Sequence, residues 1–260
     1  MIRNCKIKQC IIGAGRPKIC VPIVGHTVED VLCQADRIVQ VHESSTIDMV
    51  ELRGDYLEFL SDLEQVRQLL EMVRPRLEKQ VLLFTIRSEK EGGQKLAFSQ
   101  PSIADINRFV IENKLADLVD VELMSGEDSV RELVRIAHEN DVKIIMSNHD
   151  FSTTPSESEI IQRLTRMQEL GADIAKLAAM PNDRLQVLQL LRATVTMQKE
   201  YAQVPIVTMS MGSLGAISRI SGQLFGSAVT FASLEAASAP GQIPVSDLSQ
   251  LLAKVEQYCI

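Results

Sequence analysis

"KIIMSNHDFSTTPSESEIIQRLTRMQELGADIAKLAAM" (residues 143–180) decides the fold. Its first eight residues form an apolar run that turns polar at the end. "SESEIIQRLTRMQEL" (156–170) has helical spacing, and "DIAKLAAM" (173–180) is apolar again. Strand, helix, strand in that order makes the two strands parallel, with the helix as the crossover.

The same unit recurs along the chain. Strand-like runs fall at 18–25, 49–55, 81–88, 118–123, 205–212 and 228–235. Helical patterns follow at 27–42, 62–79, 102–115, 127–140, 183–201, 214–225 and 245–258. Eight such units in roughly 250 residues are the expected size of a closed (β/α)8 TIM barrel of the α/β class. An open doubly wound sheet is the structural alternative, but the first strand lacks a glycine-rich dinucleotide turn behind it. "IIGAGRP" (11–17) reads as a turn, and "CKIKQCII" (5–12) as an extra strand or hairpin capping the barrel bottom. With no linker-like tract, residues 1–260 are expected to form a single catalytic domain.

Composition narrows the function classes. Hydrophobic residues make up 45 % and aromatics only 4 %, without Trp, so the core is aliphatic. A formal charge of −7, from 27 Lys and Arg against 34 Asp and Glu, argues against a general nucleic-acid binder. Five scattered cysteines show neither a CxxC pair nor zinc spacing, and read as reduced thiols. No run suits a signal peptide or a bilayer span, which gives a cytoplasmic expectation with no membrane partner.

Functional groups of a barrel come from the C-terminal ends of its strands. In "MVELRGD" (49–55), Glu51, Arg53 and Asp55 alternate with Val50 and Leu52 and are expected on one face. Arg87 ends the third run, and Glu91 follows in a loop. Asp120 and Glu122 share a face of the fourth. His149 and Asp150 end the fifth, Lys176 interrupts the sixth, and Ser210 lies in the seventh. Taken singly, each has a structural explanation: an ion pair, a satisfied strand-end histidine, a lysine reaching the rim. A closed barrel would aim Glu51, Arg53, Arg87, His149 and Lys176 at one axis, and buried charges seldom offset their own desolvation. That convergence points to a functional pocket. No cluster has metal-ligand spacing, and no GxSxG motif occurs. An amine nucleophile remains: a lysine attacks a carbonyl only when neutral, and burial disfavours the ammonium form.

These residues stand in a longer pattern. "ELRGD", "FTIRSEKEGG", "DVEL", "IIMSNHDFSTTP", "GADIAKLAAMP", "VTMSMGSLGAISR" and "FGSAVTFASLEAASAPGQIPVSDL" together resemble the type I 3-dehydroquinate dehydratases, from about residue 18 to about residue 250. The resemblance implies a dimeric, cytoplasmic (β/α)8 lyase of the shikimate pathway. Such an enzyme takes the small molecule 3-dehydroquinate to 3-dehydroshikimate with no metal and no organic cofactor. It implies that Lys176 forms the imine, that His149 is general base and then general acid, and that Glu91 orients His149. It further implies that Arg219 clamps the substrate carboxylate and that Glu51, Arg53 and Arg87 position the ring. Ser238 and Gln242 would belong to a closing loop. Leu52, Gly54 and Pro22 depart from the family pattern. They touch packing more than chemistry.

Two other readings stand beside it. A class I aldolase would also use a lysine imine, with "MSMGSLG" (209–215) as a candidate phosphate site. A non-catalytic barrel binding a small acid would need the arginines, but no amine beside a His–Glu pair.

Overall fold

A short antiparallel hairpin, β1 (Cys5–Ile7) and β2 (Cys10–Ile12), precedes a run of parallel strands. The chain is described here from a computed structural model, over residues 2–42, 46–234 and 239–259. The parallel strands are β3 (Lys18–Ile23), β4 (Met49–Arg53), β5 (Val81–Thr85), β6 (Leu118–Glu122), β7 (Lys143–Asp150), β8 (Ile174–Ala179), β9 (Ile206–Ser210) and β10 (Val229–Ser233). They pair in chain order, and β10 returns to pair with β3. A parallel bridge between Ile206 and Ser227, with the Ala228 N–H donating to the Ile206 carbonyl at 2.8 Å, joins the last seam. The eight expected units therefore form the (β/α)8 barrel. A two-residue strand, β11 (Ile243–Pro244), pairs in parallel with the end of β10.

The crossovers are α1 (Val28–His42), α2 (Leu63–Arg76), α3 (Ile103–Glu112), α4 (Glu127–Glu139), α5 (Glu157–Glu169), α6 (Arg184–Thr196), the short α7 (Ala216–Ile220) and α8 (Gly222–Phe225), and α9 (Val245–Cys259). Local chemistry fixes several starts. Ser102 with Asp105, and Ser156 with Glu159, form reciprocal capping boxes at α3 and α5, while Asp62 and Asp183 cap α2 and α6. The single helix expected over 214–225 is two short ones, divided at Ser221. None of the described helices is long and apolar enough to cross a membrane.

Strand parity divides the core. Outward residues such as Val50, Leu52, Leu82, Phe84, Val119, Ile144 and Leu177 pack against the helices. Inward residues fill the barrel, and their character changes with height. Met49, Val81, Leu83, Leu118, Ile145 and Ile174 make an apolar lower layer. Two or four residues further along the same strands stand Glu51, Arg87, Asp120, Ser147, His149 and Lys176. The hairpin closes the bottom, with Cys5, Ile7 and Ile12 packed into the lower layer. Lys8 at its turn donates to the Gln80 carbonyl at 2.8 Å and pairs with Asp117 at 2.9 Å. The expected cap is therefore a hairpin at the N-terminal ends of the strands, leaving the C-terminal ends for chemistry.

Candidate active site

A cleft opens at those C-terminal ends. Glu51, Arg53, Arg87, Glu91, His149, Lys176, Arg219 and Gln242 line it, with Phe151, Met209, Met211 and Phe231. The residues that the family resemblance assigns to the site are thus brought together except Ser238, which lies outside the described residues.

Lys176 is buried, 4 % exposed, in the middle of β8. The sequence suggests an apolar strand whose burial acts on the amine. The nearest charged groups are carboxylates: Asp120 Oδ2 lies 3.6 Å and Glu51 Oε1 3.9 Å from Nζ. The Phe231 ring faces the same nitrogen, with its centroid at 4.4 Å. Two carboxylates and an aromatic face together make the surroundings of this nitrogen electronegative.

His149 sits against Glu91, which follows β5 in a single 3-10 turn (residues 89–91). One oxygen of Glu91 lies 2.9 Å from both the His149 backbone nitrogen and its Nδ1, and Asn148 Nδ2 donates to the other at 3.0 Å. Three nitrogens directed at one acid suit a carboxylate, with the ring proton on Nδ1. Nε2 is then the basic nitrogen, and it has no partner among the described residues. Burial foremost, then Arg87, Lys176 and Arg53, push His149 well below the usual histidine value. Burial and the neighbouring Glu122 push Glu91 up to about 7, against the opposing pull of Arg87 and Asn148. Two glycines allow the turn to sit this close: a Cβ on Gly92 would overlap the Phe151 ring, and one on Gly93 the Arg87 carbonyl.

The three arginines differ in what holds them. Arg53 makes a two-pronged pair with Asp55, at 2.9 and 2.8 Å. Arg87 pairs with Asp120 at 2.7 Å, Glu122 at 3.0 Å and Glu91 at 3.6 Å. Burial opposes its charge, but these carboxylates outweigh it and raise its pKa. Arg219, 1 % exposed, has no acid partner among the described residues. It donates to the backbone carbonyls of Pro240 at 3.0 Å and Phe231 at 3.4 Å, and its Nε is left without a partner. Burial lowers it to about 10. A buried guanidinium without a counter-ion is a site for an anionic ligand.

Some expectations need correction. Asp55 does not share the inward face of Glu51 and Arg53, because β4 ends at Arg53 and the chain turns through residues 54–56. There Asp55 also accepts the Arg87 and Gln94 N–H groups, a bracing role. Gly54 is fitted to this turn, since a Cβ would press on Phe84 and Ile86. Ser210 and Asp150 point outward by parity: the Ser210 N–H donates to Ser218 Oγ, and Asp150 accepts from Ser152 and Thr153. The inward neighbours are Met209, Met211 and His149. Sequence reasoning left out Phe231, whose signal was its parity with Val229 at the lower end of the same strand.

Residues 19–258 match the family model of the Type I 3-dehydroquinases. A 3-dehydroquinate dehydratase of Syntrophotalea carbinolica is 46 % identical over 95 % of this chain and 96 % of that protein. One of Clostridium novyi is 43 % identical over 96 % of this chain and 97 % of that protein. The crystal structure of the type I 3-dehydroquinate dehydratase of Clostridium difficile with covalent modified comenic acid superposes with a TM-score of 0.94, at 43 % identity over 99 % of both chains. A 3-hexulose-6-phosphate synthase of Salmonella typhimurium, 16 % identical with a TM-score of 0.57 over 91 % of this chain and 99 % of that one, shares the fold alone. Matched through its whole barrel and this similar to relatives over nearly their full length, the chain belongs to the type I 3-dehydroquinase family.

Proposed function

We propose that the chain is a hydro-lyase that converts 3-dehydroquinate to 3-dehydroshikimate and water through an imine on Lys176. The observation that carries this reading is the meeting, in one pocket, of a buried amine, a Glu91-bound histidine and Arg219, a cation lacking an acid. Arg219 takes the substrate carboxylate, and Glu51, Arg53, Arg87 and Gln242 position the ring. Lys176 Nζ adds to the C3 carbonyl, and loss of water leaves the iminium. His149 Nε2 removes a proton from C2, and the electron pair moves into the iminium to give an enamine. The enamine expels the C1 hydroxyl, which takes the same proton from His149 and leaves as water. Because one base serves one face, the elimination is syn. Hydrolysis of the product iminium restores the amine. Glu91 holds the ring tautomer, and a base of this kind contributes about 10²–10⁴-fold.

The covalent ligand of the Clostridium difficile relative supports a nucleophile in such a pocket. The relatives' names support a place in the shikimate pathway. Residues 1–260 act as one catalytic domain in this reading. Free thiols at Cys5, Cys10, Cys20 and Cys33 support a reducing, cytoplasmic setting. Exposed Leu185 and Leu188 on α6 offer apolar surface for a homodimer.

Intact mass after incubation with 3-dehydroquinate and sodium borohydride, followed by peptide mapping, tests the chemistry. A reduced adduct on the Lys176 peptide is expected, and none in Lys176→Met. An aldolase or a binding barrel would give no dehydration product. His149→Ala should still trap imine while losing turnover; full turnover in either variant would refute the assignment.

A further inference from the structure

Asp120 stands in the charged layer on β6, next to β7, which carries His149, and one strand removed from β8, which carries Lys176. Its side chain is fully buried and forms no part of the cleft wall. Oδ2 accepts from Arg87 Nη2 at 2.7 Å and lies 3.6 Å from Lys176 Nζ. Oδ1 accepts from Ser147 Oγ at 2.6 Å, and that hydroxyl in turn accepts from Arg87 Nη1 at 2.8 Å. Arg87 Nη1 continues to Glu91 at 3.6 Å, and Glu91 to His149 Nδ1 at 2.9 Å. Amine and base are therefore the two ends of one chain of charged and hydrogen-bonded groups: Lys176, Asp120, Arg87, Glu91, His149.

We infer that Asp120 is a positioning residue of the dehydration, anchoring Lys176 from behind and fixing its distance to His149 through Arg87. The inference rests on the Lys176 and His149 chemistry proposed above. Of the three groups around Nζ, Glu51 and Phe231 line the cleft. Asp120 alone lies beneath, so its contact persists when substrate fills the pocket. A lysine has four side-chain torsions to fix, and the iminium must keep C2 within reach of Nε2. A carboxylate and a guanidinium fully withdrawn from water are poor stabilisers unless their geometry is saturated, and here it is. Burial opposes the charge of Asp120, but Arg87 and then Lys176 outweigh it and hold its pKa below the usual carboxylate range.

Asp120→Asn keeps the shape and removes the charge. Expected is a kcat about 10- to 100-fold lower, as for a reacting group misplaced by up to about 1 Å. Borohydride trapping on Lys176 should slow in parallel. Affinity for quinate, the C3 alcohol counterpart of the substrate, should stay within about threefold, because Arg219 is untouched. The acid limb of kcat/KM should move to lower pH: Asp120 is one of the charges raising Glu91, and a released Arg87 would pair with Glu91 more closely. A kcat within about threefold of the unsubstituted enzyme would overturn the inference. So would a fall in kcat with equal loss of quinate binding and an unmoved acid limb, the signature of general damage to the fold. Should Asp120→Asn not fold, Ser147→Ala decides: lowered kcat with retained quinate affinity upholds the role, and unchanged kcat overturns it. If the unsubstituted enzyme traps no adduct at Lys176, the amine chemistry itself fails and this inference falls with it.

Discussion

Arg219 bears a cost that Arg53 and Arg87 avoid, since it is buried without an acid. Removing one partner of a buried pair leaves an uncompensated charge, and that destabilises. At Arg219 the uncompensated charge is already present, so Arg219→Met should leave stability unchanged or raised. The same change should lower kcat/KM roughly 10- to 100-fold, from the loss of charged hydrogen bonds worth about 1.5–3 kcal/mol to the substrate carboxylate. Urea unfolding beside steady-state kinetics separates the two effects, and a variant both less stable and fully active would refute the carboxylate role. Glu91 allows a second, signed test. Its folded pKa is raised from 4.5 to about 7, mainly by burial. The stability this supplies is complete below pH 4.5 and is lost as pH rises to about 7. His149, depressed, acts oppositely: its contribution is present above the usual histidine value of 6.5 and is lost as pH falls below it. Where the two windows overlap the slopes oppose each other. Glu91→Gln should therefore gain on the unsubstituted protein as pH rises from 4.5 to 7, by at most about 1.4 kcal/mol per pH unit. A difference flat in pH would mean that Glu91 is not strained by its burial.

At the scale of the element, the hairpin and the charged layer occupy opposite ends of the same strands. Ile12 is fully buried in the lower apolar layer. Ile12→Ala should cost about 2–4 kcal/mol in urea unfolding while kcat/KM stays within about twofold, because the cavity opens far from His149 and Lys176. A large loss of activity in folded protein would show the two layers to be coupled. This division also explains which elements were legible in the sequence. Strands buried on both faces are continuous apolar runs, so any ionisable residue within one stands out: Lys176 and His149 were plain for that reason. Asp55 and Ser210 lie elsewhere than expected because the sequence does not mark where a strand ends or which parity faces inward. β4 stops two residues before Asp55, and Met209 and Met211 take the inward positions flanking Ser210. The two short helices at 216–225 read as one because an isolated glycine such as Gly222, beside the break at Ser221, is also tolerated inside a helix. The acids around Lys176 could not be ranked by proximity from the sequence, since Asp120 and Glu51 reach it from β6 and β4, across the barrel interior.

Closure is a property of the whole molecule, and it rests on an unusual seam. Seven of the eight neighbouring strand pairs in the ring have regular ladders. Between β9 and β10 there is the Ile206–Ser227 bridge, and beyond it a side chain takes the place of backbone: Ser227 Oγ accepts the Thr208 N–H at 3.0 Å and donates to the Thr208 carbonyl at 3.2 Å. Counting eight units predicts a ring but says nothing of how its first and last members meet, since that depends on strand tilt summed around the barrel. The seam also carries part of the site. Met209 on β9 and Phe231 on β10 lie on either side of it, Phe231 facing Lys176 and both contacting Arg219. Ser227→Ala would leave the Thr208 N–H buried without its acceptor, a loss of about 1–3 kcal/mol. If the seam is where the barrel opens, that loss should appear locally: amide exchange at 206–210 and 228–231 should quicken while β4 to β7 keep their protection. KM should rise more than kcat falls, because the Arg219 clamp is held from both sides of the seam and the His149 base from neither. Uniformly faster exchange over all eight strands would instead mean that the ring opens only by unfolding as a whole.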